Sequence, residues 1–396
     1  MSEAFALTRD GRLLFSARIA RLYAYGFLSI VLVLYLAQAG LTEAQVGVLL
    51  TMTLIGDTLI SLWLTSHADR IGRRRTLVVG AGLMTLAGVL FVLTQDFVLL
   101  AAAATIGVIS PSGYEVGPFL PVEQAALAHI IPNTHRTRVF AWYNLAGSFA
   151  TALGALGGGA LTQVLRQSAG LPALESYRVI LLGYAAIGLL LAVLFTRLSP
   201  GIEATAAEHP SPRARYQPRL VRRKHPSVSN LRPLTSNLPS RGLRHSRRTV
   251  LKLSALFALD AFAGGFVVQS IVVYWFHVRF GIEAAALGGM IFGANVLAGL
   301  SGLFAARLAA RFGLINTMVF SHVPSNVLLM LVPLMPTLPL AIALLLVRFS
   351  ISQMDVPTRQ SYTMAVVEPD ERSAAAGVTG TARTIGAALS PALTGL

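Results

Sequence analysis

Residues 65–75 read TSHADRIGRRR, a charge-dense stretch between two apolar segments, Ala44 to Ser66 and Thr76 to Leu93, each long enough to cross a bilayer. Asp69, Arg70, Arg73, Arg74 and Arg75 do not belong in hydrocarbon. The stretch is therefore a loop in water or among headgroups, and its arginines mark that face as cytoplasmic. Gly72 permits a tight turn, Asp69 can cap an adjacent helix, and the arginines can pair with acidic groups across a bundle.

The motif Asp69-Arg70-Ile71-Gly72-Arg73-Arg74 resembles the D-R-x-G-R-[RK] signature that the major facilitator superfamily of transporters carries between its second and third helices. Thr65 and His67 depart from the family pattern, which usually has Gly and a small apolar residue there. A weaker echo, Arg307 to Gly313 (RLAARFG), falls where the superfamily carries a degenerate copy of its signature.

Composition points the same way. Of 396 residues, 54% are hydrophobic and only 12% charged, with a mean hydropathy of +0.65; ordinary soluble chains carry about twice that charged fraction. The class is a polytopic all-α membrane protein. A net charge of +15 would suggest nucleic acid as a partner in a soluble chain, but here it follows from arginines placed as cytoplasmic anchors, so no nucleic-acid partner is expected. There is no cysteine, which excludes disulfides and thiolate metal sites. Arg9, Arg12, Arg18 and Arg21 precede a long apolar run without a small-residue cleavage site, so the first span is expected to be retained.

Windows of about 20 apolar residues give six spans in the first half: Arg18 to Gln38, Ala44 to Ser66, Thr76 to Leu93, Val98 to Leu120, Val139 to Leu165 and Tyr177 to Leu198. Five more follow: Val250 to His277, Ala284 to Arg307, Leu314 to Met335, Leu338 to Val356 and Ala374 to Leu396. Arginine-rich and arginine-poor loops alternate along them, which sets the topology. Three regions are expected: an amino-terminal bundle (1–198), a basic disordered cytoplasmic linker (199–249) and a carboxy-terminal bundle (250–396) in which a twelfth helix is missing. Twelve of the 32 Lys and Arg residues lie between Arg213 and Lys252, in a composition unable to bury a core. The halves echo each other: the segment from Pro121 aligns without a gap on the segment from Pro357, pairing Gln124 with Gln360, Arg136 with Arg372 and Leu153 with Leu389.

Ionisable side chains inside apolar spans are expensive and so become site candidates. Glu115 lies in SPSGYEVGP, residues 110–118, where two prolines and two glycines must interrupt the fourth helix; a carboxylate at such a break suits proton loading, or structural hydrogen bonding at a kink. Asp57 in the second span either carries a cation or proton or pairs with a neighbouring helix. Asp260, with Gln269 further along, is the carboxy-half counterpart, and Arg348 and Asp355, seven apart in the tenth span and so two turns along one helical face, are placed to line the same wall. Arg383 requires either an anionic partner such as Asp355 or Asp260, or an anionic substrate. GALGGG, residues 154–159, is similar to a glycine motif of exporters in the superfamily and equally suits small-residue packing.

The resemblance implies two bundles about a pseudo-two-fold axis and a secondary active transporter of a small solute, proton-coupled, with efflux hinted by the glycines. The charged loop would act as a gating latch through Asp69, Arg70, Gly72, Arg73 and Arg74. The alternatives are an uncoupled facilitator and a non-transporting sensor. No enzyme chemistry, cofactor or metal is expected. The partners are the solute, protons and the lipid of an inner or plasma membrane, with the amino terminus cytoplasmic and the chain a monomer.

Overall fold

The structure, a computed structural model, describes residues 7–203, 246–368 and 371–395; the side chains of residues 69, 133, 134, 136–138, 306 and 372–374 lie outside what it describes. All the regular structure among the described residues is helical. In the first half these are α1 (Arg9–Ser29), α2 (Leu32–Gln38), α3 (Glu43–Ile71), α4 (Arg73–Leu93), α5 (Phe97–Ile106), α6 (Phe119–Ile130), α7 (Asn133–Gln167) and α8 (Ala173–Thr196). The second half holds α9 (Arg247–Gly265), α10 (Gln269–Phe280), α11 (Ala284–Phe312), α12 (Leu314–Leu331), α13 (Leu338–Ser352), α14 (Asp355–Ala365) and α15 (Arg372–Thr394).

Polar caps mark where the chain turns at the bundle ends. Thr8 accepts from the Gly11 N–H ahead of α1, Thr42 and Gln45 form a reciprocal capping box at α3, and Asp96 accepts from the Leu99 N–H at α5. Helices fall within each of the eleven expected spans, with α1 and α2 bent by 41° at Ile30–Val31. Among the described residues, eight helices are long and apolar enough to cross a bilayer by length and composition, nine with that bent pair. The other two segments fall short for physical reasons. The fourth is broken from Gly107 to Pro118, as its prolines and glycines dictate, and α15 carries Arg383 and many small residues.

Three expectations change. Arg18 and Arg21 do not precede the first span as anchors: α1 begins at Arg9, so both lie turns inside it and are buried. Arg348 and Asp355 are not on one continuous face, because α13 ends at Ser352 and α14 starts at Asp355. The stretch from Ser199 to Glu203 is ordered rather than part of a loose linker; Ser199 donates to Asp10 and precedes a short 3-10 turn, Pro200–Ile202. The rest of the expected linker, residues 204–245, lies outside the described residues.

Within the first half α1 packs on α7 and α4 on α8; within the second, α9 packs on α15 and α11 on α13. Glycines allow these approaches. A Cβ at Gly154 or Gly158 would lie 2.0 Å or 2.4 Å from the carbonyl oxygens of Tyr23 and Phe27, so the glycine run of α7 is the groove that receives α1. The halves meet through α7 against α11 and α3 against α15. Hydrogen bonds and ion pairs across that seam gather toward the arginine-poor end: Gln269 to Ser29 (2.6 Å), the Ala392 N–H to Thr51 (2.8 Å), Tyr274 to Glu43 (3.3 Å) and Arg166 to Glu283. These bonds hold that end shut, and a largely apolar, partly open cavity of about 220 Å³, lined by Val33, Leu50, Trp275 and Pro391 among others, lies in the seam.

Candidate functional site

Two ionic clusters lie inside the helices, one in each half. In the first, Arg21 of α1 makes a two-pronged contact with Glu123 of α6: Nη1 donates to Oε1 at 2.6 Å and Nη2 to Oε2 at 2.8 Å, with both side chains at zero exposure. Tyr143 of α7 also donates to Glu123. Arg21 Nη2 and Arg18 Nη1 reach Glu115 Oε1 at 3.1 Å and 2.6 Å, and Arg18 Nη2 donates to Asn144 at 3.3 Å. The guanidiniums of Arg18 and Arg21 stack on the rings of Tyr143 and Phe119, at 4.3 Å and 4.6 Å. Two carboxylates thus meet two guanidiniums in a bidentate, aromatic-walled setting, the geometry in which buried charges are best compensated.

Glu115 accordingly sits at the helix break as expected, but with two arginines as counter-ions that nothing in its local sequence announced. Asp57 accepts from the Gly117 N–H at 2.5 Å and from Ser61 at 3.2 Å. It ties α3 to the same break, satisfying a backbone donor that the missing helical turn leaves free.

The second cluster is looser and mixed. His322 of α12 stands between two carboxylates: its Nε2 lies 2.8 Å from Asp260 Oδ1 of α9 and its Nδ1 3.5 Å from Asp355 Oδ2 of α14. Arg359 of α14 bridges the same pair, with Nη1 at 3.2 Å from Asp260 and 3.3 Å from Asp355. Asp355 and Arg359 are nearly buried, whereas the His322 and Asp260 side chains keep 34% and 28% of their surface open. That openness separates the two clusters: water or a ligand can reach the second and not the Arg21–Glu123 core of the first. The pair of residues that completes it, His322 and Arg359, was missed in the sequence. Arg348 and Arg383 join the same half, and neither makes an ion pair among the described residues.

The clusters are pseudo-symmetric with their charges exchanged. The alignment of Pro121 with Pro357 carries Glu123 onto Arg359 and Gly154 onto Ser390. Gly154 abuts the carbonyl of Tyr23, and Ser390 donates to the carbonyl of Phe262, which places Tyr23 on Phe262 and hence Arg21 on Asp260. One duplicated scaffold therefore holds an α1–α6 pair as Arg–Glu and the equivalent α9–α14 pair as Asp–Arg.

At the arginine-rich end, Gly72 takes a φ of 104°, which only glycine adopts without strain, and turns α3 directly into α4. The N–H groups of Arg73 and Arg74 donate to Glu203 at 2.6 Å and 3.2 Å, and the Arg73 side chain donates to the Ile202 carbonyl at 3.1 Å. A carboxylate that caps α4 thus comes from 130 residues further on; the expected cap, Asp69, has its side chain outside the described residues. Arg70 is exposed in the last turn of α3.

The family model described as Major Facilitator Superfamily matches residues 14–391. The chain belongs to that superfamily. An uncharacterized membrane protein of Saccharomyces cerevisiae, YJR124C, is 31% identical over 98% of this chain and 88% of its own length. Superfamily structures share the fold at low identity. A bacterial homolog of the human lysosomal transporter Spinster, in an inward-facing, occupied conformation, superposes with a TM-score of 0.69 at 16% identity, covering 97% of this chain and 80% of its own. A variant of the nucleoside transporter NupG gives 0.72 at 13% (98% and 91%), and a D-xylose-proton symporter 0.65 at 15% (96% and 88%). The chain is thus an integral membrane protein with the superfamily fold.

Proposed function

We propose that this protein is a proton-coupled secondary transporter of a small solute, and not an enzyme. It alternates access between two bundles, residues 1–198 and 250–396, as a monomer in an inner or plasma membrane. The observation that carries the reading is His322 held between Asp260 and Asp355. An imidazolium donates from both nitrogens and serves both carboxylates; a neutral imidazole has one N–H and serves one. Protonation therefore ties α12 to α9 and α14 together, and proton release frees one of them.

A proton arriving from one side and leaving to the other biases which helices are clamped, which is the differential stabilisation that coupling requires. The same cycle with the solute moving against the proton gives efflux. A proton symporter among the structural relatives agrees with this chemistry. Positive-inside placement puts the arginine-rich end in the cytoplasm, so the closed seam at the other end corresponds to an inward-facing state.

The test is proton movement in proteoliposomes carrying an internal pH dye, challenged with a solute library. A transported solute should move protons with the wild-type chain, and His322→Gln should abolish that movement while solute exchange at equal pH persists. Solute flux without proton movement in the wild type would make the protein an uncoupled facilitator.

A further inference from the structure

Among the described residues, two arginines inside the second half make no ion pair. In the first half, Arg18 and Arg21 meet Glu115 and Glu123. In the second, both carboxylates of the cluster, Asp260 and Asp355, are already engaged by Arg359 and His322. Arg348 and Arg383 are left with no ion pair among the described residues, so three guanidiniums face two carboxylates.

Their positions make this costly. Arg383 sits midway along α15 and Arg348 well inside α13, too far from either bundle end for the head group to snorkel into water. Arg348 Nε is buried without a hydrogen-bond partner, its guanidinium resting on the Phe349 ring at 4.6 Å. Arg348 and Arg383 share one electrostatic neighbour, Asp355; Tyr114 is a further neighbour of Arg348, and Arg359 and Asp260 are further neighbours of Arg383. Tyr114 belongs to the broken segment of the other half and is 43% exposed, which sets Arg348 beside the space between the halves.

We propose that Arg348 and Arg383 form the anion-binding site of the transported solute, which carries a carboxylate or phosphate group. This rests on the transporter reading and names its substrate class. A planar guanidinium presents paired donors matched to an oxyanion, and the bound oxyanion supplies the negative counter-charge that the protein itself lacks there. Binding the anion neutralises a mid-membrane positive charge, and the solute is held beside the His322 clamp, where its charge and the proton act on the same helices.

The experiment is thermal unfolding of the purified full chain in neutral detergent at matched ionic strength. The probes are succinate, benzoate and inorganic phosphate, each carboxylate being compared with its uncharged amide. At least one anion should raise the melting temperature, its amide should not, and Arg348→Gln and Arg383→Gln should each weaken apparent binding tenfold or more. Without ligand, the same two variants should melt at or above the wild-type temperature, because each removes an uncompensated charge, whereas Arg359→Gln should melt lower.

Phosphatidylglycerol nanodiscs against phosphatidylcholine nanodiscs form a further arm. A shift seen only with the anionic lipid would support the site and identify a headgroup as the oxyanion's source. The proposal is overturned by stabilisation that survives in both variants, by amides that stabilise equally, by the absence of any anion effect, or by ligand-free destabilisation in both variants. Detergent binding involves no gradient, so failure here leaves the proton-movement test of His322 standing, and the reverse also holds.

Discussion

Glu123 and His322 show how differently two buried polar groups act in one scaffold. Glu123 has zero exposure and three donor groups on its carboxylate, two from Arg21 and one from Tyr143. Removing it breaks a two-pronged buried pair, leaving Arg21 with Glu115 alone and the Tyr143 hydroxyl without its acceptor in a dry core, so Glu123→Ala should cost about 3 kcal/mol. The measurement is thermal unfolding, and Arg21→Leu combined with Glu123→Leu should recover most of the loss. His322 is one-third open and contacts two acidic groups from different helices, so its replacement should spare the fold and act on coupling. Sequence reading found Glu115, Asp57, Asp260, Arg348, Asp355 and Arg383 because an ionisable residue in an apolar run is conspicuous. It passed over Arg18 and Arg21 because arginines at the start of a span look like anchors. Glu123, Arg359 and His322 lie among other polar residues or beside Pro324, where nothing local marks them. The Pro121–Pro357 alignment, which sets Glu123 against Arg359, held the clue to the exchanged pair.

At the scale of elements, the spans were legible because hydropathy, loop charge and the prolines of residues 110–118 all act locally. The cap on α4 was not, because Glu203 comes from a stretch whose composition resembles disordered linker. Glu203→Ala removes acceptors from two backbone N–H groups at the Gly72 turn and should cost about 1 kcal/mol, read as a lower melting temperature. The seam between halves depends on close backbone approach: a Cβ at Gly159 would lie 2.3 Å from the Ala284 carbonyl oxygen, and one at Gly288 2.6 Å from that of Ala155. Gly159→Val should therefore wedge α7 from α11 at the arginine-poor end. Thiol-reagent access to a cysteine placed at Ile282 should rise in that variant, with the fold retained.

For the whole molecule, the pseudo-symmetric halves differ in one respect that matters. The first holds its ionic core sealed and balanced, and the second holds an open cluster with two arginines that make no ion pair among the described residues. On the proposed proton coupling, the first half is the rigid partner against which the second rearranges when its charge state changes. The absence of native cysteine makes this directly measurable with spin labels. One pair at Ser66 and Asn316 reports the arginine-rich end; a second at Gln95 and Thr337 reports the opposite end. Electron–electron distance measurements at neutral pH and at alkaline pH, where an imidazolium held by two carboxylates gives up its proton, should show the two separations changing in opposite directions, with His322→Gln abolishing both changes. Separations that stay constant with pH, or that respond identically in His322→Gln, would contradict proton-driven alternating access through this clamp.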